Sequence, residues 1–347
     1  MIVLVKLLKV SYKFRAQYLL GFLFFILSCS KPRYLNEFNG KTMGTTYNIK
    51  IISDYIIDEQ NISYKIDSLL VKINNQMSTW VLNSEISNFN SNNSDTLIEL
   101  SFDFYKVVNE AIEISKQTNG AFDVTIFDLM SLWGFGPNPK NGIPNKNQIE
   151  NILNITGWDK LVLDSNAIQK LNPNLKLDLN SIAKGYGVDK VHQEITSIGF
   201  KDIFVEIGGE VKCSGKNYYN KDWVVGIENP NVIGDDILAI VHLNNKAMAT
   251  SGNYRNFVDL DGTILGHTID PRKGYPIRSN ILSATVISSS CIKADAWATA
   301  LMVLDFQKGK EKIESDIDLD AIWILDRGEG SYSIEKTKEI NLAKVKS

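Results

Sequence analysis

Apolar residues return at two periods along this chain, and the two periods divide it. Tyr47, Ile49 and Ile51 alternate with polar neighbours, which predicts a strand over Met43 to Ile52. Ile62, Ile66, Leu69, Ile73 and Met77 then recur at the spacing of one helix face, and that helix ends at Ser78-Thr79-Trp80. Ser84 to Asn90 follows as a turn. A second helix is expected from about Phe102 to Lys116, stopped by Asn119-Gly120. Ala121 to Trp133 reads as a further short helix, closed by Gly134-Phe135-Gly136-Pro137. Asn138 to Pro144 is loop, because prolines and Gly142 crowd it.

From Leu161 onward strands dominate. Leu161–Leu163, Leu175–Leu179, Ile203–Ile207, Trp223–Ile227, Leu238–Leu243 and Ala284–Ile287 are short, rich in β-branched residues and bounded by Gly, Asn or Asp. One helix, about Ile182 to Ile198, separates the second strand from the third. An Ala-rich apolar helix runs from near Cys291 through Leu304. Helices first, then strands with two interposed helices, is an α+β pattern, with mixed or antiparallel sheets and packed helices. No G-x-G-x-x-G opens a helix after a strand, which disfavours a dinucleotide site of the Rossmann kind.

The chain has 347 residues, is 44% hydrophobic and carries a formal charge of −3. That suffices for a large core, and the near balance of charge gives no basic surface for nucleic acid. The N-terminus changes the picture. Lys6, Lys9, Lys13 and Arg15 precede a short apolar run over Tyr18 to Leu27, too short for a span of ~20 residues but right for a secretory signal. The run ends in Ile26-Leu27-Ser28-Cys29, which resembles a bacterial lipobox with Cys29 as the lipidated first mature residue. An uncleaved membrane anchor is the alternative. The expected organisation is a signal peptide over 1–28, a polar tether over 29–40, a catalytic domain over 41–335 and a tail over 336–347. The chain is then exported, lipid-anchored and facing the periplasm. Cys213 and Cys291 are expected to be separate buried thiols, since two cysteines make no disulfide framework.

Several segments could carry chemistry. Asp295 and Thr299 stand four apart on one face of the Ala-rich helix. They are either two hard oxygen ligands of the kind that suit Mg²⁺, or a turn cap and a hydroxyl bonded back to the preceding turn. Asn180-Ser181 begins a helix whose first turns hold Gly185 and Gly187, and helix N-termini favour anions such as phosphate. Gly208-Gly209 ends a strand and suits a bulge or a close backbone contact. Arg255, in a dense polar loop, can pair with a phosphate or a carboxylate. His267, near Asp270 in a turn-rich segment, has the chemistry of a base near neutral pH. Trp80 and the Ala121-Phe122-Asp123 step are candidate walls for a flat aromatic ligand, or simply packing.

These pieces, in this order, resemble the ApbE family, the FAD:protein FMN transferases. The resemblance runs from Gly40-Lys41-Thr42-Met43-Gly44-Thr45 to Ala300-Leu301-Met302-Val303-Leu304. It includes Met77-Ser78-Thr79, Gly120-Ala121-Phe122-Asp123-Val124-Thr125, Leu132-Trp133-Gly134-Phe135-Gly136-Pro137, Ile182-Ala183-Lys184-Gly185-Tyr186, Thr250-Ser251-Gly252-Asn253-Tyr254-Arg255-Asn256, His267-Thr268-Ile269-Asp270-Pro271 and Ala294-Asp295-Ala296. It implies a T-fold-like, two-lobed single catalytic unit. FAD is the substrate, Mg²⁺ sits at its diphosphate, and FMN passes to a Thr or Ser hydroxyl of an exported acceptor flavoprotein as AMP leaves. Acceptors of that kind include subunits of Na⁺-translocating NADH:quinone reductase and of Rnf complexes, and they carry an Asp-x-x-Ser/Thr-Gly-Ala-Ser/Thr motif that this chain lacks. Related members hydrolyse FAD to FMN and AMP. The resemblance puts FAD contacts at Met43, Trp80, Ala121, Phe122, Asp123, Asn180, Tyr186 and Ile269. It puts metal ligands at Asp295, Thr299 and the Ala183 carbonyl. Ala298 stands where certain members place a second Asp, so this chain brings one carboxylate fewer. His267, supported by Asp270, is the expected base, and Arg255 an expected contact to phosphate or acceptor.

Overall fold

The computed structural model describes residues 32–230, 236–252, 257–260, 263–338, 340 and 342–344. Its backbone is an eight-stranded sheet whose neighbours follow chain order: β1 (Tyr34–Thr42), β2 (Thr45–Ser53), β3 (Asp202–Ile207), β4 (Glu210–Ser214), β5 (Ala247–Gly252), β6 (Ile281–Ser288), β7 (Asp320–Gly328) and β8 (Ser331–Lys336). Every pairing in it is antiparallel. The helices are α1 (Glu59–Met77), α2 (Glu85–Ser91), α3 (Phe102–Gln117), α4 (Phe127–Leu132), α5 (Lys146–Leu153), α6 (Ala183–Ser197), α7 (Cys291–Val303) and α8 (Phe306–Glu314). The architecture is α+β, as the order of periodic segments predicts.

The sheet is covered on both faces, and alternation decides which residue goes where. Along β3, Ile203, Val205 and Ile207 point into a core shared with α1 and α6. Phe204, on the other face, packs with a second core that includes Trp223, Val241 and Leu243. That second core is closed by a three-stranded sheet of Trp223–Glu228, Ile237–Leu243 and Leu342–Lys344. The largest core joins α1, α3, α6 and α7 to β6 and β7. α7 is wrapped on nearly all sides, which explains its Ala-rich composition: small side chains let neighbouring backbones come close. No helix among the described residues is long and apolar enough to cross a membrane.

Several expectations are corrected. Residues 34–40 are not tether: they belong to β1, which pairs with β2 over its whole length. Few of its side chains are buried, so it shows no apolar alternation. Leu342–Lys344, expected in a tail, pair with Ile237–Leu243. Ser84 to Asn90 is not a turn, because Ser84 caps α2 by accepting the Ser87 N–H at 3.1 Å. Between Ala121 and Trp133 only α4 is helical. The Asp123 carboxylate takes the Thr125 N–H at 2.8 Å and holds a turn there instead.

Leu175–Leu179 is not a strand, although Leu175, Leu177 and Leu179 are all fully buried. Its backbone is satisfied by a side chain rather than a ladder: the Leu177 N–H donates to Asn90 Oδ1 at 2.7 Å, and Asn90 Nδ2 donates to the Leu177 carbonyl at 2.8 Å.

Candidate active site

A cavity of about 980 Å³ opens where the β1–β2 turn, the end of α1, the 121–123 step, the start of α6, the β3–β4 turn and α7 converge. That volume is at the upper end for ligand sites and suits a dinucleotide. The β1–β2 turn has two residues, Met43 (φ 49°) and Gly44 (φ 72°), both left-handed. Such a turn matches the twist of the flanking strands but is uncomfortable for a methionine. It places Met43 on the cavity wall.

The floor is built where α6 crosses α7. A side chain at Gly185 would meet the Cys291 carbonyl oxygen at 2.4 Å and Asp295 Cβ at 2.7 Å, so only glycine permits the crossing. The approach lets the Gly185 N–H donate to Asp295 Oδ2 at 2.9 Å. Asp295 is thus no turn cap: it lies mid-helix, buried, and reaches across to its neighbour. Thr299, one turn on, meets Ser251 Oγ of β5 at 3.1 Å. Lys184 extends Nζ to 2.9 Å from Glu210 Oε1 and 3.9 Å from Asp295 Oδ1. Burial raises the pKa of Asp295 and of Glu210, against the opposing charge of Lys184. Burial works against the ammonium of Lys184 too, but Asp295 and Glu210 outweigh it and hold it charged. Glu210 Oε2 is buried with no hydrogen-bond partner among the described residues.

This donor set fits a hard divalent cation. Asp295, Thr299 and Ala183 line the same cavity and offer carboxylate, hydroxyl and carbonyl oxygens. Among the described residues no group of three His, Cys, Asp or Glu side chains could hold a metal by itself. Such a site keeps positions open for ligand oxygens, as Mg²⁺ sites usually do. The wall charge agrees. Asp123, Asp178, Glu206, Glu210, Glu228 and Asp295 line the cavity, and among the described lining residues Lys184 is the one lysine. An anionic ligand entering there needs a cation to offset the repulsion.

The other expected residues divide. Trp80, Ala121, Phe122, Asp123, Asn180, His267 and Ile269 line the cavity with Met43. Trp80 is 67% exposed, a free indole face at the mouth. The Asp123 carboxylate is turned into the wall, taking bonds from Thr125 Oγ1 (2.7 Å) and the Trp158 N–H (2.9 Å). Tyr186 lies behind the wall: it is buried and its hydroxyl donates to Asp103. Asp270 also lies off the cavity. Arg272 donates to both its oxygens, through Nε at 2.8 Å and an Nη at 2.9 Å. Its backbone carbonyl accepts the Gly274 N–H at 2.8 Å. Trp133 donates Nε1–H to the Gly274 carbonyl at 2.7 Å. Asp270 and Trp133 therefore hold the turn that follows His267. Arg255 and Cys29 lie outside the described residues. Cys213 and Cys291 are free, buried thiols, as expected.

Lys184, Glu210 and Ser251 escape the sequence reading. Their motifs are visible in the chain, but a Lys at a helix start, a Glu after two glycines and a Ser near a strand end carry nothing in local order to set them apart from solvated residues. Only the helix crossing and the β3–β4 turn bring them to Asp295 and Thr299.

The arrangement matches known proteins closely. The ApbE family model matches residues 43–323. An FAD:protein FMN transferase of Vibrio cholerae is 40% identical over 299 residues, covering 86% of this chain and 90% of that protein. One of Haemophilus influenzae is 39% identical over 300 residues, covering 84% and 87%. The solved flavin transferase ApbE of Vibrio cholerae superposes with a TM-score of 0.80 at 36% identity, over 88% of this chain and 98% of that one. The apo flavinyl transferase ApbE of Pseudomonas stutzeri also gives 0.80, at 32% identity over 88% and 95%. With the family model covering residues 43–323, within which every residue lining the cavity falls, this chain belongs to the ApbE family.

Proposed function

We propose that this chain transfers FMN from FAD to a Thr or Ser hydroxyl of an exported acceptor protein and releases AMP. The observation that carries the reading is the cavity floor, where hard oxygens from α6 and α7 meet a wall dense in carboxylates, beneath an exposed indole. Trp80 offers the flavin a stacking face, and Met43 and Phe122 bound it. Asp295, Thr299 and the Ala183 carbonyl would hold Mg²⁺, and the ion would supply Lewis-acid stabilisation of the diphosphate charge. Lys184 stays with Glu210 as a fixed positive charge beside them. The acceptor oxygen forms a bond to the FMN phosphorus, the bond from that phosphorus to the AMP oxygen breaks, and AMP carries away the electron pair. A neutral hydroxyl is a weak nucleophile, so His267 accepts its proton. Asp270 keeps the His267 turn in place through Arg272 rather than touching the reacting atoms. Arg255 contacts phosphate or acceptor. The cationic N-terminus and Cys29 export the chain and anchor it by lipid, facing the periplasm. Subunits of Na⁺-translocating NADH:quinone reductase or Rnf complexes are suitable acceptors there.

The test is an incubation of a soluble form beginning after Cys29 with FAD, Mg²⁺ and a small domain bearing the Asp-x-x-Ser/Thr-Gly-Ala-Ser/Thr motif. A chelator-sensitive gain of one FMN in the domain's intact mass is expected. Free FMN and AMP with an unmodified domain would establish an FAD pyrophosphatase instead, and intact FAD would leave a flavin-binding protein.

A further inference from the structure

The two ends of the main sheet differ in character. At one end the Met43-Gly44 turn and the Gly208-Gly209 turn border the cavity. At the other, β1 and β3 begin while β2 and β4 finish. Register holds these four ends together: Tyr34 pairs with Ser53, Ile52 with Asp202, and Ile203 with Ser214. β1 is nine residues long. At the usual rise of a strand, the two ends of the sheet therefore stand about 25–30 Å apart.

The end away from the cavity carries an apolar, tyrosine-rich surface. Tyr34 and Leu35 open β1, Tyr55 and Ile56 follow β2, and Tyr218 and Tyr219 stand on the loop after β4. All six side chains are exposed, Ile56 at 83% and Tyr219 at 78%. They are held in place. Ser53 Oγ donates to the Tyr55 carbonyl at 2.7 Å, and the Tyr55 ring stacks on Phe200 with centroids 6.2 Å apart. The Tyr218 and Tyr219 rings meet edge to face at 5.5 Å, on a turn closed by the Asn217 N–H donating to the Lys221 carbonyl at 2.8 Å. Arg33 ties that loop to the start of β1, donating to Asn220 Oδ1 at 3.0 Å and to the Lys216 carbonyl at 3.3 Å. Two ion pairs here cancel their own charge, Arg33 with Asp202 and Lys216 with Asp222, each at 2.7 Å. Single apolar side chains on a surface need no explanation, but a cluster marks an interaction site. Rings with an apolar body and a polar tip suit the head-group layer of a membrane.

The position of the cluster names its occupant. The proposed lipid sits on Cys29, and β1 already begins at Tyr34. Even a fully extended chain carries Cys29 no further than about 18 Å from Tyr34. The lipid therefore enters the bilayer beside this end of the sheet. We propose that the six residues form a membrane-seating face, which rests in the head-group layer of the bilayer that holds the lipid. Apolar and aromatic contacts make the face, so a bilayer without net charge suffices. No helix among the described residues could cross the membrane, so the seating is shallow, on the order of 5–10 Å. The cavity then stands at the opposite end of β1 and β3, about 25–30 Å above the membrane, presented to exported proteins and not to lipid. The inference rests on the proposed anchoring through Cys29, which supplies the bilayer.

The test uses the full lipidated protein reconstituted in phosphatidylcholine vesicles. Cys213 and Cys291 are buried, so a cysteine introduced at an exposed position takes a polarity-sensitive nitrobenzoxadiazole dye selectively. Ile56→Cys and Tyr219→Cys place the dye on the face. Leu82→Cys is the control, 86% exposed but two residues from Trp80 at the cavity mouth. All three should keep the wild-type melting temperature. Dyes at 56 and 219 should be several-fold brighter than the dye at 82, and nitroxide lipids labelled near the head group should quench them. Equal brightness at all three positions, or unquenched dyes at 56 and 219 on protein that floats with the vesicles, overturns the seating face and leaves the anchor standing. A response that appears only with anionic phosphatidylglycerol overturns it as well, since charge would then be the attraction. Brightening that follows protein density in the vesicle makes the face a contact between copies and also overturns it. An intact mass without lipid on Cys29, together with no flotation, overturns the anchoring and this inference with it.

Discussion

Gly185→Ala tests how the fold builds the proposed cation site. The added Cβ would lie 2.4 Å from the Cys291 carbonyl oxygen, inside the 3.0 Å that such carbons essentially never breach. The obstacle is the backbone of α7, which cannot rotate away, so α6 and α7 must separate by several tenths of an ångström. Overpacking of this kind costs about 1–3 kcal/mol. The gain in helix propensity from Gly to Ala returns roughly 1 kcal/mol. The net loss is thus about 0–2 kcal/mol in stability. The larger effect is local, because the same separation stretches the 2.9 Å bond from the Gly185 N–H to Asp295 Oδ2. A residue that orients a metal ligand typically changes metal affinity by about 10–100-fold. Gly187→Ala is the control, two residues along the same helix. Its Cβ would meet the Met43 Cε at 3.1 Å, the mobile end of a flexible side chain, so propensity should win and stability hold or rise. The assay is a Mg²⁺ titration followed by calorimetry or by Mn²⁺ competition, with thermal melts alongside. If Gly185→Ala titrates and melts like the wild type, or if Gly187→Ala is the more damaged of the two, the packing argument fails.

Asp295→Ala should flatten the metal titration and abolish metal-dependent turnover while FAD still binds. A wild-type titration curve would remove Asp295 from the site. His267→Ala should slow transfer by about 10²–10⁴-fold, the usual worth of a positioned base, without changing FAD affinity. Stopped-flow single-turnover rates at saturating FAD decide it, and an unchanged rate refutes the role. Asp103→Asn should cost ~1–3 kcal/mol near neutral pH, because a buried carboxylate loses charged bonds from Lys72 and the Tyr186 hydroxyl. Burial alone would raise the Asp103 pKa, but those bonds and the Lys190 charge pull it down to about 2. A lowered carboxylate adds stability above its unfolded pKa and loses it as pH falls toward the folded value. The gap in melting temperature between wild type and Asp103→Asn should therefore narrow below about pH 4 and close near 2. A gap that widens with acid would show that Asp103 does not carry this charge network.

What could be read from the sequence, and what could not, follows from which forces leave a trace in local order. α1, α3, α6 and α7 bury an apolar face or a whole surface, so each was legible, to within three residues at its ends. Asp295 and Thr299 were legible because a carboxylate and a hydroxyl stand out on an apolar helix. β1 was not, since an edge strand buries few side chains and its alternation is carried by Asn36, Phe38 and Thr42 rather than by a hydrophobic series. Leu175–Leu179 misled for the opposite reason. Its leucines are buried with the period of a strand, yet a side-chain amide from a distant helix replaces the ladder. Tyr186, expected by resemblance to touch FAD, lies behind the cavity wall with its hydroxyl on Asp103, and Asp270, expected to support His267, is held by Arg272 in the turn that follows it.

Glu210 marks where local reading ends. Nothing near it in the chain distinguishes it from a solvated strand residue. It is the antiparallel return of β4 after two left-handed glycines that turns its side chain toward Lys184. A buried carboxylate oxygen without a partner costs about 1–3 kcal/mol or more, and Glu210 Oε2 has none among the described residues. Its companion oxygen fixes Lys184, and Lys184 in turn reaches Asp295, so Glu210 sets the charge at the floor before any ligand enters. That places a paired, buried charge at the floor of the cavity. Its chemistry therefore resides less in any one motif than in the crossing of α6 and α7, which brings three motifs to one point.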